Sequence, residues 1–462
     1  MHIRQLYTNC LAEAAYYIES NGEAAIIDPL RETQPYLDLA TKRNAKIKYV
    51  FETHFHADFV SGHVDLAKAT GAQIIYGPTA QADYDITVAE DEQEFPLGKI
   101  NLKILHTPGH TMESSCIVAI DEHGKEYAVF TGDTLFIGDV GRPDLAVSAS
   151  ISRDDLAAKL FHSLHNKVLT LPDEVKVFPG HGAGSQCGKN LSSETVSTIG
   201  EQKKFNYALQ ENTEEGFVKV VTAGLQAPPQ YFPKNAQINK RGYGNINELL
   251  KKANQPLDVN EFRRKIAKDT LIIDTRSSPL FCQSHIPQSI NISLEGFFAV
   301  WVGTLIENMR TPILLVTSRN QEEETILRLA RVGYENVIGY LKGGFESWEE
   351  AKLPLETIPT IPAAEFRNLP PSSAAIIDVR RSDEFEEGHW DGAINIPLAE
   401  LPELKIILNA DKHHYLYCKS GYRSGIAASL LQKSGFKMVE NVEGGFDAIN
   451  DFAGSSCCIL PQ

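Results

Sequence analysis

Short apolar runs, each closed by a turn or a polar residue, recur through the first 220 residues. "EAAIIDP" (23–29), "IKYVFETH" (47–54), "AQIIYG" (72–77) and "AVFTGD" (128–133) are of this kind. Their length and composition predict buried strands that alternate with helical stretches. Polar residues gather at or just after the strand ends, where sites in α/β proteins lie. "APPQYFPKNAQINKRGYGN" (227–245) is rich in Pro, Asn and Gly with little periodicity, and predicts a linker closing the first domain. Beyond it the chain repeats itself. "LIIDTRSSPLFCQSHIPQSINIS" (271–293) matches "AIIDVRRSDEFEEGHWDGAINIP" (375–397). Each copy runs from an apolar strand to Asp-x-Arg and then to a histidine eleven residues after the aspartate (274 to 285, 378 to 389). Each later reaches Gly-Gly-Phe, at 343–345 and 444–446. Two α/β domains with largely parallel sheets follow from this pattern, joined by "LETIPTIPAAEF". The expected domains are 1–240, 241–357 and 358–462.

A chain of 462 residues is too long for one core, which agrees with that division. With 44 basic and 60 acidic residues the net charge is −16, so the protein has no general attraction for nucleic acid or an anionic membrane. Any anion must be held by a local site. "MHIRQLYTNC" has no apolar core of a signal peptide, and no run approaches the ~18 apolar residues of a membrane span. "CCILPQ" is not a prenylation box, because Cys458 is fifth from the end. The seven cysteines are odd in number and scattered, unlike a disulfide framework, so a reducing cytoplasm is expected. Cys457 and Cys458 are expected in a flexible tail.

Four stretches carry metal-ligand residue types: "THFHADF" (53–59), "HTPGHT" (106–111), "FTGDTLF" (130–136) and "FPGHG" (178–182). A lone histidine at a strand end is most often structural, but four such turns in this order are not coincidence. The set resembles the metallo-β-lactamase superfamily over about the first 200 residues. That resemblance implies an αββα fold with up to two metal sites. One would use His54, His56 and His110; the other Asp58, the residue after it and His181, with Asp133 as a bridge. The residue after Asp58 is Phe59, which has no lone pair, and this departs from two-metal hydrolases such as glyoxalase II. The resemblance sharpens to the persulfide dioxygenase branch, in which two histidines and an aspartate hold one iron. These map to His54, His110 and Asp133. Two imidazoles and one carboxylate leave open positions on Fe(II) for substrate sulfur and O₂. His56, Asp58 and His181 then orient ligands or solvent, and Phe59 fills the second site. Members of the branch can keep histidine at the Phe59 position, so Phe59 speaks against two metals without specifying iron. The resemblance also sets Arg142, in "GDVGRPDLA", near the substrate, where it could hold a carboxylate or phosphate; a salt bridge with Asp144 is the alternative. Cys187 either takes up sulfur or is a quiet loop thiol.

"HYLYCKSGYRSGIAASLLQKSGF" (414–436) carries the second signal. A strand ends at Cys418, a short loop follows, and a helix opens near Ser424. Backbone N–H groups in such a loop form an anion nest that, with the helix N-terminus, stabilises a thiolate or persulfide anion. Arg423 pins the loop, while Lys419, Ser420, Gly421 and Tyr422 line it toward substrate. The segment resembles the rhodanese fold over about 360–455, with "DVR" (378–380), "GHWDGAINIP" (388–397) and "EGGF" (443–446) as further marks. Its Cys-x₄-Arg loop is one residue shorter than the Cys-x₅-Arg loop of related phosphatases and suits a sulfane sulfur. In the middle copy, "PILLVTSRNQEEET" (312–325) aligns Val316 or Thr317 with Cys418, three glutamates follow, and Cys282 lies on the wrong segment to substitute. That copy resembles a rhodanese without its nucleophile, with a scaffolding or docking role.

The whole order resembles the persulfide dioxygenase–sulfurtransferase fusions of bacterial sulfide detoxification. It implies one Fe(II) per chain and a low-molecular-weight thiol persulfide, O₂ and sulfite as partners. Cys418 would carry sulfur to sulfite and make thiosulfate. A cytoplasmic homo-oligomer is expected. Two other readings stay open: a zinc-dependent thioester hydrolase with rhodanese domains, and a sulfane-sulfur carrier or sensor. The thiol that carries the persulfide is also open: glutathione, coenzyme A, cysteine or another.

Overall fold

Strands form where the apolar runs lie, and their alternation sorts side chains to two faces. In Glu13–Ser20, Ala14, Tyr16 and Ile18 point one way and Ala15 and Tyr17 the other, as the two-residue period of a strand requires. The computed structural model describes residues 1–369, 374–451 and 458–459. The chain divides into two compact units, Met1–Leu249 with Ala330–Gly333, and Leu250–Leu329 with Tyr334 onward.

The first unit holds two six-stranded sheets. One runs in sequence order: His2–Thr8, Glu13–Ser20, Glu23–Ile27, Lys46–Glu52, Gln73–Tyr76 and Thr87–Val88. The other runs Ser197–Thr198, Lys176–Pro179, Glu126–Gly132, Ser115–Ile120, Ile100–His106 and Glu94–Leu97. Tyr16, Ile27 and Phe51 of the first sheet meet Leu102, Ile117 and Phe130 of the second in a shared core. Helix Gln34–Lys42 covers the outer face of the first sheet through Tyr36 and Leu39, and helix Arg153–Asn166 covers the second through Leu160 and Leu164. This is the expected αββα sandwich.

The second unit repeats one five-stranded, all-parallel sheet. The strand order is Pro256–Leu257, Val337–Leu341, Ile313–Val316, Leu271–Asp274, Ile290–Asn291 in one copy. In the other it is Thr360–Pro362, Val439–Glu443, His414–Tyr417, Ala375–Asp378, Ile394–Asn395. Register aligns Asp274 with Val316 and Asp378 with Tyr417, so Thr317 is the counterpart of Cys418. The repeated Asp-x-Arg and histidine are architectural. Arg276 binds Asp274 at 2.6 Å and the Ser284 carbonyl at 2.9 Å. Arg380 binds Asp378 at 2.6 Å and the Gly388 carbonyl at 2.7 Å. His285 and His389 stack on Phe281 and Phe385 at 3.9 and 3.7 Å between ring centres.

One expectation needs correction. The span 227–245 is not an irregular linker: it contains helix Phe232–Arg241, with proline in its first turn, where the missing N–H costs nothing. Its apolar contacts are few, so periodicity gave no signal. The cysteine pair at the C-terminus lies largely outside the description: Cys457 is beyond the described residues, and Cys458 is described only as backbone paired with Trp390. Among the described residues no helix is long and apolar enough to cross a membrane.

Candidate metal centre and sulfur-transfer loop

The metal-ligand residue types converge at the ends of strands Lys46–Glu52, Ile100–His106, Glu126–Gly132 and Lys176–Pro179. His54, His110 and Asp133 bring one ligand atom each within 4.8 Å of one another. His110 Nε2 is 3.5 Å and His54 Nε2 4.0 Å from Asp133 Oδ2. All three side chains are at most 2% exposed. Their far sides fix the tautomers. Thr53 spends its hydroxyl proton on Asp28, so His54 Nδ1–H donates to Thr53 Oγ1 at 3.0 Å. His110 Nδ1–H donates to the Arg142 carbonyl at 2.9 Å. Each ring therefore turns an Nε2 lone pair toward Asp133. Burial holds both imidazoles below their ordinary value, His54 well below it, so they stand neutral as ligands must. Neither buried oxygen of Asp133 meets an N–H or O–H donor among the described residues. A Cβ on Gly180 would come within 2.7 Å of Asp133 Oδ1. An orphaned buried carboxylate facing two neutral imidazole lone pairs fits a divalent metal.

His56 takes no part in that cluster. Its Nε2 lies 3.0 Å from Asp28 Oδ1 and 3.3 Å from Glu52 Oε2, inside the first sheet. Burial opposes charge on this ring, but the two carboxylates outweigh it and hold the imidazole well above its ordinary value. His56 orients no ligand by direct contact; it neutralises two buried acids. Phe59, fully buried, lays its ring 4.3 Å from that of His56. Asp58 and His181 form a second group with Cys187. His181 Nε2 is 3.3 Å from Asp58 Oδ2 and 3.5 Å from Asp133 Oδ1. Burial, reinforced by Asp58 and Asp133, pushes the Cys187 thiol well above its ordinary value. Arg142 makes the salt bridge with Asp144, through Nε at 2.6 Å and a terminal nitrogen at 2.7 Å. Its other donors go to the carbonyls of Gln186 and Gln226. Its backbone, not its guanidinium, serves the metal cluster.

Sequence reading missed what braces this loop. Asn239, on the unpredicted helix, donates to the carbonyls of His56 and Phe59, both at 2.8 Å, and accepts from Ser61 N at 3.0 Å. Asp28 was legible only as a strand end; its link to Thr53 needs the parallel pairing of Glu23–Ile27 with Lys46–Glu52.

The second site is built around Cys418, one residue past strand His414–Tyr417. Gly421 N–H donates to its sulfur at 3.1 Å, and the Ser424 hydroxyl donates at 3.5 Å. Gly421 has φ +99°, which turns its N–H inward, and helix Tyr422–Lys433 starts at the next residue, two earlier than expected. Arg423 pins the loop through two bonds to Glu384, at 2.6 and 2.7 Å. Glu384 is the partner the sequence did not disclose. The Gly-Gly-Phe motif closes the loop from behind. Phe446 N–H donates to the Cys418 carbonyl at 2.7 Å, and a Cβ on Gly445 would lie 2.3 Å from that oxygen. Tyr422 donates its hydroxyl to the Ser293 carbonyl of the middle copy at 3.2 Å. Lys419 and Ser420 are exposed.

Comparison with known proteins supports this fold. Residues 8–181 match the metallo-beta-lactamase superfamily, and 258–351 and 363–451 each match the rhodanese-like domain. The mitochondrial persulfide dioxygenase of Homo sapiens is 30% identical over 245 residues, 52% of this chain and 87% of its own length. A probable hydroxyacylglutathione hydrolase of Schizosaccharomyces pombe is 29% identical over 211 residues, 41% of this chain and 78% of that protein. A crystal structure of a metallo-beta-lactamase from Staphylococcus aureus superposes with a TM-score of 0.65 at 30% identity, over 74% of this chain and 98% of that one. A dioxygenase relative matched over most of its length, with two rhodanese-like domains behind the match, decides the assignment: this chain belongs to the persulfide dioxygenase–rhodanese fusion family.

Proposed function

We propose that the chain is a non-haem Fe(II) persulfide dioxygenase joined to a sulfurtransferase, and that it converts low-molecular-weight persulfides and O₂ to sulfite and then thiosulfate in sulfide detoxification. One observation carries the reading. A buried group of two imidazoles and one carboxylate that meets no N–H or O–H donor among the described residues stands apart from His56, which faces Asp28 and Glu52 with Phe59 against its ring. Fe(II) held by His54, His110 and Asp133 would bring persulfide sulfur and O₂ together, so that oxygen transfer needs no further encounter. The protein fixes both rings through Thr53 and the Arg142 carbonyl and keeps the cluster nearly free of solvent.

At the second site the Cys418 thiolate attacks the sulfane sulfur of RSSH. A new S–S bond forms, the RS–S bond breaks, and RS⁻ leaves. The Gly421 N–H and the Ser424 hydroxyl hold the charge on sulfur. Sulfite then attacks the outer sulfur, thiosulfate leaves, and the thiolate returns.

The test is O₂ uptake by anaerobically purified, iron-loaded protein given glutathione or coenzyme A persulfide, with sulfite and thiosulfate quantified. Rapid uptake that is lost in His110→Ala is expected, and Cys418→Ser should release sulfite in place of thiosulfate. No uptake by protein confirmed to hold iron overturns the reading. Similarity to hydroxyacylglutathione hydrolases favours a second one, a zinc-dependent thioester hydrolase, which the same protein loaded with zinc and given a glutathione thioester would reveal.

A further inference from the structure

A cavity of about 550 Å³ lies in the second unit, against the Cys418 loop. Ser420, Gly421 and Tyr422, two to four residues past the nucleophile, form part of its wall. The rest comes from both copies of the repeat: Glu295 from the one without a nucleophile, Asn441 and Glu443 from the other. Its volume is in the range of small-molecule sites, roughly 300–1,000 Å³, and far larger than sulfite or thiosulfate need.

The wall has a definite chemical preference. Among the described residues it contains two carboxylates, Glu295 and Glu443, and no lysine, arginine or histidine. Asn441, 6% exposed, has a buried side-chain oxygen that meets no donor among the described residues. Glu443 already accepts from the Thr360 hydroxyl at 2.7 Å; the acceptor capacity left in this concave site is satisfied by a ligand that brings N–H groups and positive charge. The nearby cations do not serve. Arg328 turns its terminal nitrogens to the Leu294 carbonyl and Glu324 and does not line the wall, and Lys419 is exposed and outside it. Cys282, also in the wall, is no second nucleophile: burial, with Glu443 adding to it, pushes its thiol up to about 11.

We propose that this cavity seats the sulfur donor of Cys418, and that the donor is a persulfide of an ammonium-bearing thiol of the amino-acid or small-peptide class. The ammonium pairs with Glu295 and Glu443 and donates to Asn441. A thiol carried on phosphates meets two carboxylates and no cation, and is disfavoured. The middle copy, having lost its nucleophile, keeps a task as the wall that selects the donor. The proposal rests on the reading of Cys418 as a sulfur carrier; the transfer step is the one already written, with RS⁻ as leaving group.

The experiment is anaerobic sulfur transfer by the full chain to sulfite, with cysteine persulfide, its N-acetyl form and coenzyme A persulfide as donors, and with the Cys418→Ser rate subtracted. A KM at least tenfold lower for cysteine persulfide than for the N-acetyl form is expected, with coenzyme A persulfide poorer still. Glu295→Gln with Glu443→Gln should bring the first ratio close to one; if that pair unfolds, Glu295→Gln alone should lower it. Equal KM values for the free and acetylated donors on the unaltered protein overturn the proposal, as does a preference that survives the substitutions. Absence of any Cys418-dependent transfer would instead sink the sulfurtransferase reading, so the two failures are distinguishable.

Discussion

His56 lies next to the metal-ligand cluster without joining it. Its sequence position is that of a ligand, yet its ring faces Asp28 and Glu52, at 3.0 and 3.3 Å. His56→Gln should therefore leave metal content, measured by elemental analysis, near that of the unaltered protein. Stability should fall by ~3–5 kcal/mol, because buried Asp28 loses its cation while Glu52 keeps His63 and Ser61. Loss of metal with unchanged thermal unfolding would show that His56 is a ligand after all. The four turns that carry metal-ligand residue types were legible because each follows a strand-like run; the choice of His54, His110 and Asp133 among them came from the resemblance. The turn of His56 was not, because it depends on Asp28, brought alongside only when two strands pair in parallel. Arg423 and Glu384 make the same point 39 residues apart. Burial raises the Glu384 carboxyl, but the bonds and charge of Arg423 outweigh it and bring it down to about 2. A carboxyl whose folded value is depressed stabilises the fold above its unfolded value, about 4.3, and that stability is lost as pH falls toward 2. The melting temperatures of the unaltered chain and Glu384→Gln should differ at pH 6 and converge as pH drops from 5 toward 2.5. A gap that stays constant with pH would exclude the ion pair as its origin.

Among elements, the two sheets of the second unit share one strand order and one turn geometry, yet only one has a nucleophile. Position 317 sits where Cys418 does, and Asn320, three residues on, has φ +65°, as Gly421 has +99°. One left-handed position thus recurs in the middle copy, although its helix starts five residues past 317 and the other four past Cys418. The charge does not: the helix that follows begins with Glu322, Glu323 and Glu324, whereas Tyr422–Lys433 has no acid in its first turn. Three carboxylates at a helix N-terminus cancel the field that would hold an anion there. Thr317→Cys should accordingly take up no sulfur: mass spectrometry after treatment with a persulfide should find the adduct at Cys418 and none at position 317. An adduct at 317 would mean that loop shape alone suffices. The repeat and its missing nucleophile were legible because they are written in residue order. Helix Phe232–Arg241 was not, since its task is to present one side chain, Asn239, to the loop that holds His56 and Phe59. Two of its three buried positions, Asn235 and Asn239, are polar, so the helix leaves little apolar periodicity to read.

At the scale of the whole molecule, a dioxygenase-like domain and a sulfurtransferase loop lie on one chain. On the proposed reading the first makes sulfite and the second consumes it. Covalent joining sets an effective concentration of one site at the other that dilution of the protein does not change. Two separate proteins have no such floor: their encounter falls with concentration. If sulfite is captured within the molecule that made it, the ratio of thiosulfate to sulfite should hold steady as the unaltered chain is diluted a hundredfold at fixed persulfide and O₂. An equimolar mixture of His110→Ala and Cys418→Ser chains should show the same ratio when concentrated and a falling one when dilute. If the unaltered chain and the mixture fall together, sulfite equilibrates with solvent before capture, and joining the domains serves co-production rather than transfer. A ratio that holds for the chain and collapses for the mixture would establish that the fusion itself confers the capture, with no requirement for any tunnel between the sites.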